Sequence, residues 1–250
     1  MITLQELCDY LEQLFDVSQF LDYCPNGLQV EGKTEIKKVA TAVTASLKAI
    51  EEAVAMDADL LLVHHGLFWK GGSQIVTGPM RKKLALLLKN KLSLLGYHLP
   101  MDAHREFGNN WKAAREMQWK DLQPFFSING MAIGVQGKVD LPRIEFQKRL
   151  EKYYNHNAQV ALGGKEHIFS AGLVSGGAYK QIQDAAVAGL DAFVTGNTDE
   201  PAWYLAHEEG VNFYSLGHSA TEKIGPKAIG EHLREKFGVD VVFIDCDNPF

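Results

Sequence analysis

The chain has little cysteine. Cys8, Cys24 and Cys246 are its only three in 250 residues, far apart and without a C-x-x-C pair. An odd, scattered set excludes a disulfide framework, fits a reducing compartment and argues against a thiolate metal site. No apolar run approaches the ~20 residues of a membrane-spanning helix, so no membrane partner is expected. The opening residues 1–6 have neither a basic start nor an apolar core. No signal peptide is expected, and the expected location is cytoplasmic. There is no block of Lys and Arg: 25 basic residues face 31 acidic ones, for a net charge of −6. A nucleic-acid surface has no electrostatic footprint here, apart from a local rim at Arg81, Lys82 and Lys83. No P-loop or Rossmann glycine fingerprint occurs, so phosphates would have to be met by metal ions or by Lys and Arg side chains. What remains is ordinary for a globular protein, 46% hydrophobic and 22% charged, and long enough to bury a sizeable core as one large domain or two small ones.

The most informative stretch is residues 59–66, Asp-Leu-Leu-Leu-Val-His-His-Gly. Four aliphatic residues read as a buried strand, and two histidines stand where it ends. In open α/β sheets, ligands collect beyond the carboxyl ends of the strands. Adjacent residues there point in different directions, so His64 and His65 can serve two ligands or two metal ions.

Taken in order, Thr3-Leu4-Gln5-Glu6 has the form of a capping box ahead of an amphipathic helix with Leu7, Leu11, Leu14 and Phe15 on one face. Residues 22–27, Asp-Tyr-Cys-Pro-Asn-Gly, carry turn chemistry that could also line a site. Strands are expected at 36–43 and 60–63, with a helix at 46–56 between them. The loop Phe68-Trp69-Lys70-Gly71-Gly72 reads either as a lid or stacking platform for a planar ligand, or as two aromatics covering the sheet end. A helix at 80–88 starts with Arg81, Lys82 and Lys83. A strand at 92–97 runs into His98, Asp102 and His104, expected on a loop because Pro100 interrupts regular structure. An asparagine of Gly108-Asn109-Asn110 is the expected cap of a helix reaching Met117. Gly130, Gly134 and Gly137 suggest a hairpin or bulged edge strand over 128–139. A helix follows at 142–154. His156 and His167 show no partners in the sequence.

The second half echoes the first. A strand at 171–174, a helix at 178–188 and a strand at 191–196 repeat the order seen from Val43 to Gly66, which suggests an internal duplication. The expected fold is therefore α/β, as two related α/β halves, 1–124 and 125–250, with residues near the C-terminus able to join the first half and a metal-bearing cleft between them. A helix at 199–209, a strand at 211–216 and Gly217-His218-Ser219-Ala220-Thr221-Glu222 follow. The four-residue spacing puts His218 and Glu222 on one helical face, within reach of a common ion. A helix to about Phe237 and a strand at 239–244 close the chain.

Three strand ends thus carry His64/His65, His98/Asp102/His104 and His218/Glu222. Imidazole and carboxylate without thiol suit Zn, Mn, Fe or Ni. Five or six such ligands are too many for one tetrahedral ion and suit two ions sharing a carboxylate.

The motifs Val63-His64-His65-Gly66, His98-x-x-x-Asp102, Thr195-Gly196, Gly217-His218-x-x-x-Glu222 and the Asp22–Gly32 stretch resemble the NIF-three-like family. Its bacterial members are type 2 GTP cyclohydrolase I homologues. The resemblance covers essentially the whole chain and implies a three-layer fold, a toroidal homohexamer and a dinuclear metal site facing an internal cavity. It implies that His65 and Asp102 hold one ion, His64 and His218 the other, and that Glu222 bridges both, with His98 beside them. Longer members carry an extra domain between the halves, whereas this chain has a short segment there. Many members place a glutamate where this chain has Asn197.

The implied chemistry is hydrolysis of a nucleotide by a metal-activated water. For a guanine nucleotide the resemblance implies attack on the imidazole ring carbon. His98 is the expected general acid or base, and Phe68 and Trp69 are the candidates for stacking on the base. The alternatives are a non-catalytic metal-binding hexameric scaffold or metal-delivery protein, and a hydrolase of another phosphoester or modified nucleotide.

Overall fold

The computed structural model of the chain describes residues 2–250. It is α/β and divides into two compact units, residues 1–101 with 225–247, and residues 102–224 with 248–250.

In the first unit, β1 (Ile2–Thr3) leads into α1 (Leu4–Leu14). Thr3 and Glu6 form the expected capping box, with the Thr3 hydroxyl accepting from the Glu6 amide and the Glu6 carboxylate from the Thr3 amide. Leu7 and Leu11 bury α1 on the sheet side of its amphipathic pattern. Then come β2 (Gly27–Val30), β3 (Glu35–Ile36), β4 (Lys38–Thr44), α2 (Leu47–Ala55), β5 (Leu60–His65), α3 (Gly78–Asn90) and β6 (Ser93–Gly96). Ser46 caps α2 through the Ala49 amide. α4 (Leu99–Ala103) follows, and the boundary between the units falls inside it. The expected loop at 98–104 is therefore corrected: it is mostly a short helix, because proline is tolerated in a first turn, where its missing N–H is an orphan anyway.

The second unit holds α5 (Asn109–Glu116), β7 (Lys120–Ile128), β8 (Met131–Pro142), α6 (Arg143–Tyr154), β9 (Gln159–Leu162), β10 (His167–Leu173), α7 (Ile182–Val187), β11 (Ala192–Thr195), α8 (Pro201–Glu209), β12 (Asn212–Ser215) and α9 (His218–Thr221). The chain then returns to the first unit as α10 (Ile224–Phe237) and β13 (Asp240–Phe243). The division at 101/102 differs from the expected 124/125 because β7 pairs with β8 and so belongs to the second sheet.

The first sheet has the order β13-β4-β5-β6-β2, parallel except for β2. Its strands alternate. Ala40, Ala42, Leu61 and Val63 face a core completed by Ala49, Ile50 and Leu87 of α2 and α3. Thr41 turns the other way, toward Gly230 of α10, where an added Cβ would sit 3.1 Å from the Thr41 methyl and 2.9 Å from Val241. The second sheet has the order β7-β8-β10-β11-β12-β9. One face packs Trp111 and Ala114 of α5 and Phe146 and Leu150 of α6. The other packs Ile182 and Ala185 of α7 and Ala202 and Ala206 of α8. It is thus a helix–sheet–helix unit of three layers. The expected hairpin forms but starts earlier, at Lys120, and turns at Asn129-Gly130, whose φ angles of 51° and 84° are those of a tight hairpin turn. No helix among the described residues is long and apolar enough to cross a membrane.

Candidate metal centre

β5 runs on through both histidines, so His64 and His65 are its last two residues rather than the start of a loop. His64 is fully buried, and its Nδ1–H donates to the Tyr97 carbonyl at 3.1 Å. His65 is half-buried and shares a 3.0 Å hydrogen bond between Nδ1 and the Thr44 hydroxyl. These contacts use the Nδ1 atoms and leave Nε2 as the ligating nitrogen, the usual way a protein sets a histidine's tautomer for metal binding.

His98 joins them. Its ring centroid lies 5.0 Å from that of His64 and 5.7 Å from that of His65. One nitrogen from each of the three rings lies within 4.8 Å of the others. The residues fit a metal: three imidazole nitrogens at this spacing are a donor set for a borderline ion. Trp69 borders the cluster, edge-on to His98 at 5.1 Å and 5.8 Å from His65. Phe68, its partner in the expected stacking pair, is exposed.

The turn at 22–27 holds residues that sequence reasoning undervalued. His98 Nδ1–H donates to Asp22 at 2.8 Å. Asp22 also accepts the Leu99 amide at 2.9 Å and the Asn26 side-chain amide at 2.9 Å, while Asn26 accepts the His98 amide at 2.7 Å. Burial alone would raise the Asp22 carboxyl, but the hydrogen bond and charge of His98, with Asn26 and the Tyr23 amide, outweigh it and hold the group below its ordinary value. Cys24 stands near Asp22 and His98. Burial, then the Asp22 charge, push its thiol up to about 12, which keeps it protonated and a poor ligand.

The second unit gathers the other predicted residues around Ser175-Gly176. Buried Asp102 accepts the Ser175 hydroxyl and the Asn109 side-chain amide, each at 2.8 Å. Asn110 donates to the backbone carbonyls of Asp102 and Ile133 and accepts the Ser175 amide at 2.7 Å. The helix cap expected of an asparagine is taken instead by Gly108, which frees both asparagines for this network. His218 Nε2 lies 3.1 Å from Glu222 Oε1, close enough for both atoms to ligate one ion at about 2.1 Å. Gly176 sits against this pair at φ +66°. A Cβ there would stand 2.2 Å from the Glu222 carboxylate and 3.2 Å from His218 Nε2. Its amide donates to Thr221 Oγ1 at 3.0 Å, and its carbonyl accepts from Thr195 Oγ1 and from the amides of Gly196 and Asn197.

Five histidines fall outside these clusters, namely His104, His156, His167, His207 and His232. His104 accepts the Phe107 amide at 3.0 Å and stacks on that ring. His156 is hydrogen-bonded to the Asn157 carbonyl and to that of Pro249. His167 pairs with Asp140 at 2.8 Å. Arg81, Lys82 and Lys83 lie on α3.

The fold and its donor sets define a two-unit α/β protein with histidine-rich strand ends able to bind metal. The family profile of Duf34/NIF3 (NGG1p interacting factor 3) matches residues 2–249, and the chain belongs to that family. It is 47% identical over 248 residues to the "GTP cyclohydrolase 1 type 2 homolog" of Chlamydia pneumoniae, covering 98% of each chain. Among solved structures it is similar to the protein ybgI, of unknown function, with a TM-score of 0.94 and 36% identity over all of both chains. It is also similar to TTHA1606 from Thermus thermophilus, with a TM-score of 0.91 and 34% identity over all of both chains.

Proposed function

We propose that the protein is a dinuclear metal-dependent hydrolase of the GTP cyclohydrolase 1 type 2 kind, acting on a nucleotide through an activated water. The observation that carries this reading is the imidazole cluster of His64, His65 and His98, with its Nδ1 atoms tied to Tyr97, Thr44 and Asp22. The ligands would be His64, His65, Asp102, His218 and Glu222, the set that the family resemblance implies. Bound there, two divalent ions supply Lewis acidity: they acidify water and polarise the group it attacks.

The chain's own residues do the rest. Asp22 fixes the His98 ring with a proton on Nδ1, so that Nε2 can take or give a proton. Ser175 and Asn109 hold the Asp102 carboxylate in one orientation. Trp69 offers an aromatic edge beside the histidines for a planar base, and Phe68 is exposed on the same loop. Assembly as a homohexamer belongs to the same proposal.

The test is elemental analysis of protein purified without chelator, joined to incubation with GTP and a nucleotide panel under Mn, Zn and Fe. About two ions per chain with metal-dependent loss of GTP, abolished in Glu222→Ala, supports the proposal. About two ions and an inert panel would overturn the hydrolase reading in favour of a metal-binding scaffold. Fewer than about one ion per chain would overturn the dinuclear site itself. Light scattering at six times the chain mass tests the hexamer.

A further inference from the structure

The first unit holds a cavity of about 550 Å³ between the start of α1, strand β2 and residues 34–35. That volume is typical of a small-molecule site, ~300–1,000 Å³. Asp9, Glu12, Glu31 and Glu35 line it, and no lysine or arginine does. Asp9 accepts the Gln5 side-chain amide at 2.8 Å, while Glu12, Glu31 and Glu35 have no cationic partner among the described residues.

Tyr97 also lines the cavity. It is 1% exposed, and its hydroxyl is buried with no hydrogen-bond partner. The Phe15 ring, 4.8 Å away, fixes its orientation. An unpartnered buried hydroxyl carries a desolvation cost that a bound polar group would remove. Burial first, then the charges of Cys8 and Glu12, which line the same cavity, drive its pKa far up, so it stays a neutral O–H. Burial and the charges of Asp9 and Glu12 push the Cys8 thiol up to about 11. The fixed charge of the cavity is therefore that of its carboxylates. No three of these carboxylates converge closely enough to hold a bare ion among the described residues. Leu4, Val17 and Leu28 supply apolar wall that a bare ion would leave uncovered.

We propose that this cavity binds a small organic polycation of the polyamine class, its ammonium groups on the carboxylates, one of them donating to the Tyr97 hydroxyl oxygen, and its aliphatic stem on the apolar wall. The inference does not depend on the hydrolase reading.

The experiment is titration calorimetry of the full chain with spermidine. Saturable binding near one per chain, weakening as salt rises, is expected. The Glu12→Gln/Glu31→Gln double variant should lose about tenfold or more in affinity. Tyr97→Phe should weaken binding by about threefold or more while leaving Tm unchanged or higher, because it deletes a hydroxyl that has no partner in the free protein. Glu222→Ala, in the second unit, should bind spermidine as the parent does, which separates this cavity from the metal ligands. The proposal is overturned by an absence of saturable heat, by affinities that the double variant and Tyr97→Phe leave unchanged, by loss of binding in Glu222→Ala, or by a soaked crystal showing only a water on Tyr97.

Discussion

Asp191 makes in the second unit the contacts that Asp59 makes in the first. Each stands immediately before the second strand of its repeat. Asp59 accepts the amides of Lys37 and Lys38 and the ammonium of Lys33. Asp191 accepts the amides of Phe169 and Ser170 and the ammonium of Lys165. Even the spacing agrees, the lysine standing four residues before the first amide in both. The parallel registers match as well: Val39 pairs with Leu60 and Leu60 with Ser93, as Ala171 pairs with Ala192 and Ala192 with Asn212. The two units are related α/β halves, built on one β-α-β-α-β plan.

This carboxylate is a stability element. Asp59→Ala and Asp191→Ala should each cost about 2–4 kcal/mol, because each leaves two backbone amides without their acceptor and takes the nearest carboxylate from a lysine. The effects should add in the double variant, since the sites share no partner. Urea denaturation of the four proteins checks this.

The same pair sets an acid limit. Burial works to raise both carboxyls, but the lysine hydrogen bonds and strand amides outweigh it and hold both below the ordinary value. A depressed carboxyl contributes stability that is fully present above its unfolded pKa of about 3.9 and is lost as pH falls through the lower folded value. Stability measured from pH 6 down to pH 2 should drop below about pH 4, and more shallowly in the Asp59→Ala/Asp191→Ala protein.

Much of this was legible in the sequence, and the failures have a common cause. The Thr3–Glu6 box and the β5 strand with its two histidines are local patterns, and they stand as expected. The role of Asp22 was not visible, because its partner His98 is 76 positions away and the intervening turn chemistry has its own sufficient explanation. Asn109 and Asn110 looked like caps for the same reason: an asparagine before a helix suggests a local bond, while the partners here are Asp102 and Ser175. The return of α10 and β13 to the first unit, which the sequence reading allowed for residues near the C-terminus, rests on the pairing of Asp240 with Lys38.

Gly176 should tolerate no side chain. Gly176→Ala puts a methyl into the Glu222 carboxylate at a left-handed φ, so metal content should fall well below that of the parent. Gly189→Ala, at φ +70° with open space around it, should cost only about 1–2 kcal/mol and leave metal content unchanged. Elemental analysis and thermal melts of both variants separate the two cases.

Asp22→Asn should be more damaging than its size suggests. Both carboxylate oxygens accept hydrogen bonds, one from His98 and the Tyr23 amide, the other from Asn26 and the Leu99 amide. Either orientation of an asparagine amide would turn N–H groups on N–H groups. Metal affinity or turnover should fall about 10–100-fold. His98→Ala separates ligand from proton carrier: loss of metal marks a ligand, while retained metal with lost turnover marks an acid or base. Retained metal with full turnover would remove His98 from the chemistry.

Trp69 should report occupancy. Its ring lies within 6 Å of two histidines of the cluster, so titration with Mn or Ni should quench indole fluorescence in the parent and much less in Trp69→Phe.

The path of the chain through its two units also sets an order of events during synthesis. Residues 102–224 are one uninterrupted stretch that supplies nearly all of the second unit, while the first waits for residues 225–247. A nascent polypeptide emerges from the ribosome amino end first. All six strands of the second sheet have therefore been made before β13, the edge strand beside β4, has been translated. Until then β4 exposes an unpaired edge, and Thr41 lacks the Gly230 surface that covers it in the finished protein.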